Sequence, residues 1–125
     1  MTSAARPLDG IRVLDLTTFL SGPIAAMGLL QLGADVVKIE PPTGDVTRGG
    51  PTAPLSSFYW ALHRGRRSAV LDLKNVAGRD VLLELVAEAD VLIENYRPGV
   101  MERLGLDWPT LREANPRLVV GSITG

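Results

Sequence analysis

The residues best equipped to hold a small ligand in this sequence are cationic. His63-Arg64-Gly65-Arg66-Arg67 gathers three guanidinium groups, and Arg48, Lys74, Arg97 and Arg103 stand elsewhere in the chain. Guanidinium forks pair bidentately with phosphate oxygens and a lysine meets them as a point charge, so the chemistry on offer is recognition of a phosphorylated ligand. For the HRGRR run the plainer alternative is a solvated turn. Asn95-Tyr96-Arg97-Pro98-Gly99 adds an amide, an aromatic face and a fork donor ahead of a helix-starting proline. That grouping suits an adenine or phosphate contact, or a capped loop with Tyr96 half buried.

Residues that would make or break bonds are scarcer. His63 is the single histidine, and near a helix end it is expected at the surface or as a cap. There is no cysteine, no Ser-His-Asp set, no H-E-x-x-H and no cluster with metal-ligand spacing, so no catalytic or metal residue is expected within the chain. Asp15, Asp35, Asp72 and Asp90 lie in or beside apolar runs and read as strand-end or capping carboxylates. Glu40 falls where a dinucleotide-binding domain keeps its ribose-holding acid, yet the preceding turn reads SGPIAA in place of G-x-G-x-x-G. Pro23 has no N–H to offer a pyrophosphate there. A P-loop is absent as well.

These residues need a scaffold, and the alternation of apolar runs supplies one. Strands are expected over 11–16, 34–40, 69–73, 90–94 and 117–123. Helices are expected over 24–32, 56–63, 76–88, 98–104 and 108–114. The helix at 24–32 is apolar nearly all round, which predicts burial within its own fold or under a partner chain. Residues 41–55 hold four prolines and three glycines and form a long loop. The βα rhythm implies an α/β fold, a Rossmann-like open parallel sheet with flanking helices and right-handed crossovers. Ligands in such sheets bind beyond the carboxyl ends of the strands. A chain of 125 residues supports one core, and ending on SITG right after the fifth strand suggests the first part of a longer protein.

The bulk numbers narrow the class of partner. With 13 basic and 14 acidic residues the net charge is −1, which argues against nucleic-acid binding through a broad basic face. No apolar run reaches the roughly 20 residues of a membrane span and Met1–Pro7 lacks a signal-peptide pattern, so a soluble, unexported, cytoplasmic protein is the expectation.

In order and spacing, PLDGIRVLDLT, GP, LGADVVKIEPPTGD, RRSAVLDLKN, ADVLIENYRPGVMERLGLDW and NPRLVVGSITG strongly resemble the amino-terminal part of the family III CoA-transferases. That group includes formyl-CoA transferase, carnitine CoA-transferase and α-methylacyl-CoA racemase. The resemblance spans residues 7–125 and implies the first part of a Rossmann-like large domain, with the rest of that domain and a smaller domain absent. It also implies coenzyme A as part of an acyl-CoA substrate, a carboxylic acid acceptor, and a homodimer of interlocked subunits. The aspartate that attacks the acyl-CoA lies downstream in the family, so the fragment itself is expected to be inactive. A racemase shares this region and is the nearest alternative; a non-catalytic binding or dimerisation module is the other.

Carried over residue by residue, the resemblance implies coenzyme A contacts at Phe19 in the first loop and at Leu71 near the adenine. It implies further contacts at Asn95, Tyr96, Arg97 and Arg103, with Lys74 a weaker candidate. The sequence departs from the family at Pro41, where many members carry an arginine for the nucleotide. Either Arg48 or an arginine of HRGRR is then expected to substitute, or nucleotide binding is weaker.

Overall fold

The computed structural model describes residues 4–49 and 56–124. Part of the proline-rich loop, 50–55, therefore lies outside the described residues. The observed elements are β1 (Arg12–Asp15), α1 (Ser21–Gln31), β2 (Asp35–Glu40), a single 3-10 turn (Val46–Arg48), α2 (Ser57–His63) and β3 (Arg67–Val70). They continue with α3 (Val76–Glu88), β4 (Val91–Glu94), α4 (Val100–Arg103), α5 (Trp108–Ala114) and β5 (Val119–Ser122). All strands pair in parallel in the order β3-β2-β1-β4-β5, as an α/β protein of this rhythm requires. The order reverses between β1 and β4, which is where such sheets open a crevice at their carboxyl ends.

The two-residue period of the strands divides the core in two. Leu14, Leu16, Ile39 and Leu92 point to the face covered by α3 and α5, where they meet Leu82, Val86, Leu106 and Leu111. Val13, Val36 and Ile93 point to the other face, against Ala26 of α1. The same alternation continues Val13 to Asp15 and Val36 to Lys38 and Glu40, so three charged side chains enter that second face.

Local chemistry explains the element ends. Asn75, Ser56 and Asp107 accept from backbone N–H groups of the first turns of α3, α2 and α5, filling donors that no helical carbonyl reaches. α1 begins at Ser21 without a side-chain cap, two residues before Pro23. At Gly22 a β-carbon would stand 2.2 Å from Thr17 Cβ, so glycine is what lets the helix start against the end of β1.

Three expectations are corrected or narrowed. β3 spans Arg67–Val70 and not 69–73, because pairing with β2 sets its register from Val37↔Arg67 to Glu40↔Val70. As an edge strand it needs no second apolar face, so Arg67 and Ser68 disguise it. The helix expected over 98–104 is only Val100–Arg103, preceded by Gly99 at φ +82°, so Pro98 belongs to a turn. The helix expected over 24–32 is α1, Ser21–Gln31, and within this chain Gly22, Pro23 and Ala26 are buried while Ile24, and Leu32 just past its end, are nearly half exposed, which leaves cover by a partner chain as the other half of that expectation.

Leu92 sits on a central strand and is fully buried. Leu92→Ala should lower unfolding stability by roughly 2–5 kcal/mol, read from a urea midpoint that drops with an unchanged slope. A loss below about 1 kcal/mol would show that the core cluster is not close-packed around it.

Candidate functional site

The charges on the α1/α2 face form one connected set. Lys38 Nζ meets Asp45 Oδ2 at 2.8 Å and donates to Thr17 O at 2.8 Å, with both charged side chains 1% exposed. Arg66 Nη1 meets Asp15 Oδ2 at 2.7 Å, also sealed from solvent, and its second Nη donates to the carbonyls of Leu62 and Pro23. Glu40 accepts both nitrogens of an Arg48 fork at 2.6 and 2.7 Å, plus Tyr59 Oη, Ser68 Oγ and the Asp45 N–H. Burial opposes the Glu40 charge, but the bonds from Arg48, Ser68 and Tyr59 outweigh it and bring its pKa down to about 2. Asp45 is lowered in the same way, burial being overcome by Lys38 and Thr47. Tyr59 is pushed up to about 12 by burial and by the Glu40 carboxylate it donates to.

His63 is drawn into this set. The guanidinium of Arg66 can only donate, so its 3.2 Å contact makes His63 Nδ1 the acceptor and places the ring proton on Nε2. Nε2 has no partner among the described residues. Burial, with the cations Lys38 and Arg66 nearby, lowers the His63 pKa to about 4.

Expectations made for these residues are accordingly revised. His63 is not a surface or capping residue but 5% exposed, stacked at 4.5 Å on Tyr59. HRGRR is not simply a solvated turn: Arg64 and Arg67 are exposed, whereas the Arg66 side chain is internal. Arg48 and Arg66 engage Glu40 and Asp15 inward, Arg67 pairs with Asp35 at the surface and Arg64 is exposed, and none of the four lines the cavities that Pro41 lines. Glu40 is saturated inside the protein and is not presented to a ribose. Asp15 is a strand-end carboxylate, as expected.

Outside this set, the carboxyl edge of the sheet carries concave surface. A cavity of about 230 Å³ is lined by Leu71, Lys74, Pro41, Tyr96, Val100 and Leu104. A second of about 210 Å³, bounded by Thr18, Lys38 and Asp45, shares Pro41 and Tyr96 with it. A third, about 240 Å³, lies beyond Tyr96 toward Arg97, Trp108 and Ser122. Tyr96 is half-buried at the junction of all three, and burial together with Glu94 and Asp15 raises its pKa. The structure therefore brings Leu71, Lys74, Tyr96 and Arg97 to one edge. Arg103, exposed on α4, lies beside Gly99 at that edge. Phe19 is outside these cavities, 61% exposed, with its ring 6.4 Å from Phe58. It is the one non-glycine residue with positive φ, +70°, among those described, a conformation that costs roughly 1–2 kcal/mol. The Asn95 amide is turned onto Thr18, bonding its N–H and its C=O at 2.8 Å each.

Sequence reasoning missed Lys38, Asp45, Tyr59 and Thr18. The available signal was a lysine and a glutamate inside the apolar run VVKIE, since charges there require internal partners.

A parallel open sheet flanked by helices, with concave surface at the carboxyl ends beside the reversal of strand order, defines a Rossmann-like α/β protein. The chain belongs to the CoA-transferase family III, whose sequence model matches residues 8–125. It is 46% identical over 123 residues to the formyl-CoA:oxalate CoA-transferase of Streptomyces avermitilis, covering 96% of this chain and 30% of that protein. It is 48% identical over 122 residues to the acetyl-CoA:oxalate CoA-transferase of Acetobacter aceti, covering 95% of this chain and 31% of that one. Among solved structures, the Mycobacterium tuberculosis protein Rv3272 superposes with a TM-score of 0.90 at 42% identity, covering 97% of this chain and 34% of the other. A CAIB/BAIF family protein from Brucella suis does so with a TM-score of 0.90 at 41% identity, with the same coverage of 97% and 34%. The chain thus spans about a third or less of the relatives it matches.

The titrations make a directional prediction. His63 has a lower pKa folded, about 4, than its ordinary value of 6.5, so the unfolded chain binds more protons between those values. Stability should be full above pH 6.5 and fall by roughly 3 kcal/mol as pH drops to 4, and Glu40 extends the loss from 4.5 toward 2. In urea titrations His63→Asn should flatten the interval from 6.5 to 4. An unchanged slope there would assign the acid sensitivity to other groups.

Proposed function

We propose that this chain is the coenzyme A-binding, amino-terminal part of the large domain of an acyl-CoA transferase. The intact enzyme moves CoA between an acyl-CoA and a carboxylic acid, through an aspartate downstream of residue 125. The observation that carries this reading is the convergence of an apolar slot (Leu71, Tyr96, Val100, Leu104) with Lys74 and Arg97 at the carboxyl edge. The slot suits the flat adenine, and Lys74, Arg97 and Arg103 suit the phosphates, since cationic side chains form the stronger, charge-assisted bonds. The oxalate CoA-transferase activity named for the relatives supports the reaction class. Oxalate itself is the first acceptor to try. Nothing in the reading involves a metal or a nucleic acid, and among the described residues no helix is long and apolar enough to cross a membrane.

Isothermal calorimetry with CoA tests the binding half. Arg103→Ala and Lys74→Ala should each weaken binding by roughly 1.5–3 kcal/mol, the scale for a hydrogen bond to a charged group. Pro41→Arg should tighten it, because Pro41 lines two of the cavities and no arginine reaches that wall. Absence of any heat at millimolar CoA would end the reading for this chain. For the intact enzyme, CoA exchange between an acyl-CoA and oxalate supports the transferase, and α-proton exchange without acyl transfer refutes it.

The proposal includes a cytoplasmic homodimer. Ile24 of α1 and Leu32 just past its end, with Phe58 and Trp60 of α2, are exposed apolar surface that association would cover. Light scattering should show a species larger than the 13.4 kDa monomer, and a clean monomer at high concentration would contradict it.

A further inference from the structure

We propose that Asn95, for which the resemblance implies a direct coenzyme A contact, is instead a positioning residue that acts on a ligand through Phe19, its amide being turned onto Thr18. Its effect on ligand rests on the coenzyme A reading above; its effect on Phe19 does not.

In the turn that follows β1, the N–H and C=O groups of Thr17 and Thr18 are each held by a side chain. Asp15 Oδ1 accepts from Thr17 N at 2.9 Å and from Thr17 Oγ1 at 2.5 Å. Lys38 Nζ, from β2, donates to Thr17 O at 2.8 Å. Asn95, at the end of β4, accepts from Thr18 N through Oδ1 and donates to Thr18 O through Nδ2. The Thr18 carbonyl belongs to the peptide plane that precedes Phe19, so the amide fixes one side of Phe19 Cα, and the other side runs into Leu20, whose carbonyl accepts from Ile24 N–H of α1 at 3.0 Å; Phe19 φ is set between these two anchors. That angle is the +70° left-handed value which only Phe19, among described non-glycine residues, adopts. The ring is consequently thrown outward, 61% exposed, toward Phe58.

Asparagine is the one side chain short enough for this place that presents a donor and an acceptor in a single plane. Aspartate keeps the bond from Thr18 N but sets a carboxylate against Thr18 O. Because β1 and β4 are neighbours at the reversal of strand order, the clamp crosses the crevice where open α/β sheets place ligands. Tyr96, the next residue, lines all three cavities of that edge. One amide therefore registers the aromatic of the first turn to the aromatic of the fourth.

The chain contains two phenylalanines, Phe19 and Phe58, so incorporating 4-fluorophenylalanine gives two ¹⁹F resonances, assigned with Phe58→Ala. Asn95→Ala should move and broaden the Phe19 signal while far-UV circular dichroism stays unchanged. If that variant does not fold, Asn95→Asp, which retains the Thr18 N–H bond, should do the same. An unmoved Phe19 signal in a folded variant would overturn the positioning role. Calorimetry with CoA then closes a double-mutant cycle. Phe19→Ala and Asn95→Ala should each weaken binding by about tenfold or less, and the double variant should be no weaker than the poorer single one. Multiplying losses would show that Asn95 meets CoA directly and would overturn the proposal. If the wild-type chain takes up no CoA, the coenzyme reading fails alone, and the ¹⁹F result still decides whether Asn95 holds Phe19.

Discussion

Three charged side chains, Asp15, Lys38 and Glu40, project from adjacent strands into a face from which water is excluded. Each would be prohibitive alone, because burying an unpaired charge costs several kcal/mol or more. The surrounding chain is arranged to answer them. Asp45 and the 3-10 turn fold back over Lys38, Arg48 turns inward to Glu40, and Arg66 reaches from the end of α2 to Asp15. Ser56 ties that turn to the start of α2 through the Thr47 carbonyl. The placement of α2 thus follows from charge as much as from apolar packing.

This arrangement divides the cations of the chain into two populations. Arg48 and Arg66 are committed inward as counterions. Lys74, Arg97 and Arg103 remain exposed at the carboxyl edge, beside the slot formed by Leu71 and Tyr96. In the proposed reading, recognition of a nucleotide is left to the second population, and Pro41 marks a wall to which it brings Lys74 but no arginine. The same network holds the first turn, since Lys38 and Asp15 grip Thr17 while Asn95 grips Thr18. Structural charge and the presentation of Phe19 thereby meet on one short stretch of backbone.

Much of the fold was legible because it is local. Period-two apolar runs, capping residues such as Asn75, and glycines at turns announce strands and helices within a few positions. Errors fell where partners decide: the edge strand β3 takes its register from β2, and α1 takes its buried stripe from the sheet it lies on. Leu71, Lys74, Tyr96 and Arg97 do gather along one edge, since the ends of their strands carry them there. His63 and Arg66 were misplaced, because a histidine and an arginine in a basic run look the same whether they face solvent or a buried carboxylate.

The sequence by itself determined the βα order and the family, because strand and helix patterns are local and the linked motifs keep their order along the chain. Only the tertiary structure decided which charges are counterions, which stay exposed, and how Phe19 is presented. Asp15 and Arg66 are 51 residues apart, and Thr18 and Asn95 are 77 apart. Pairings across such separations are made by the stacking of parallel strands, which no local pattern of residues encodes.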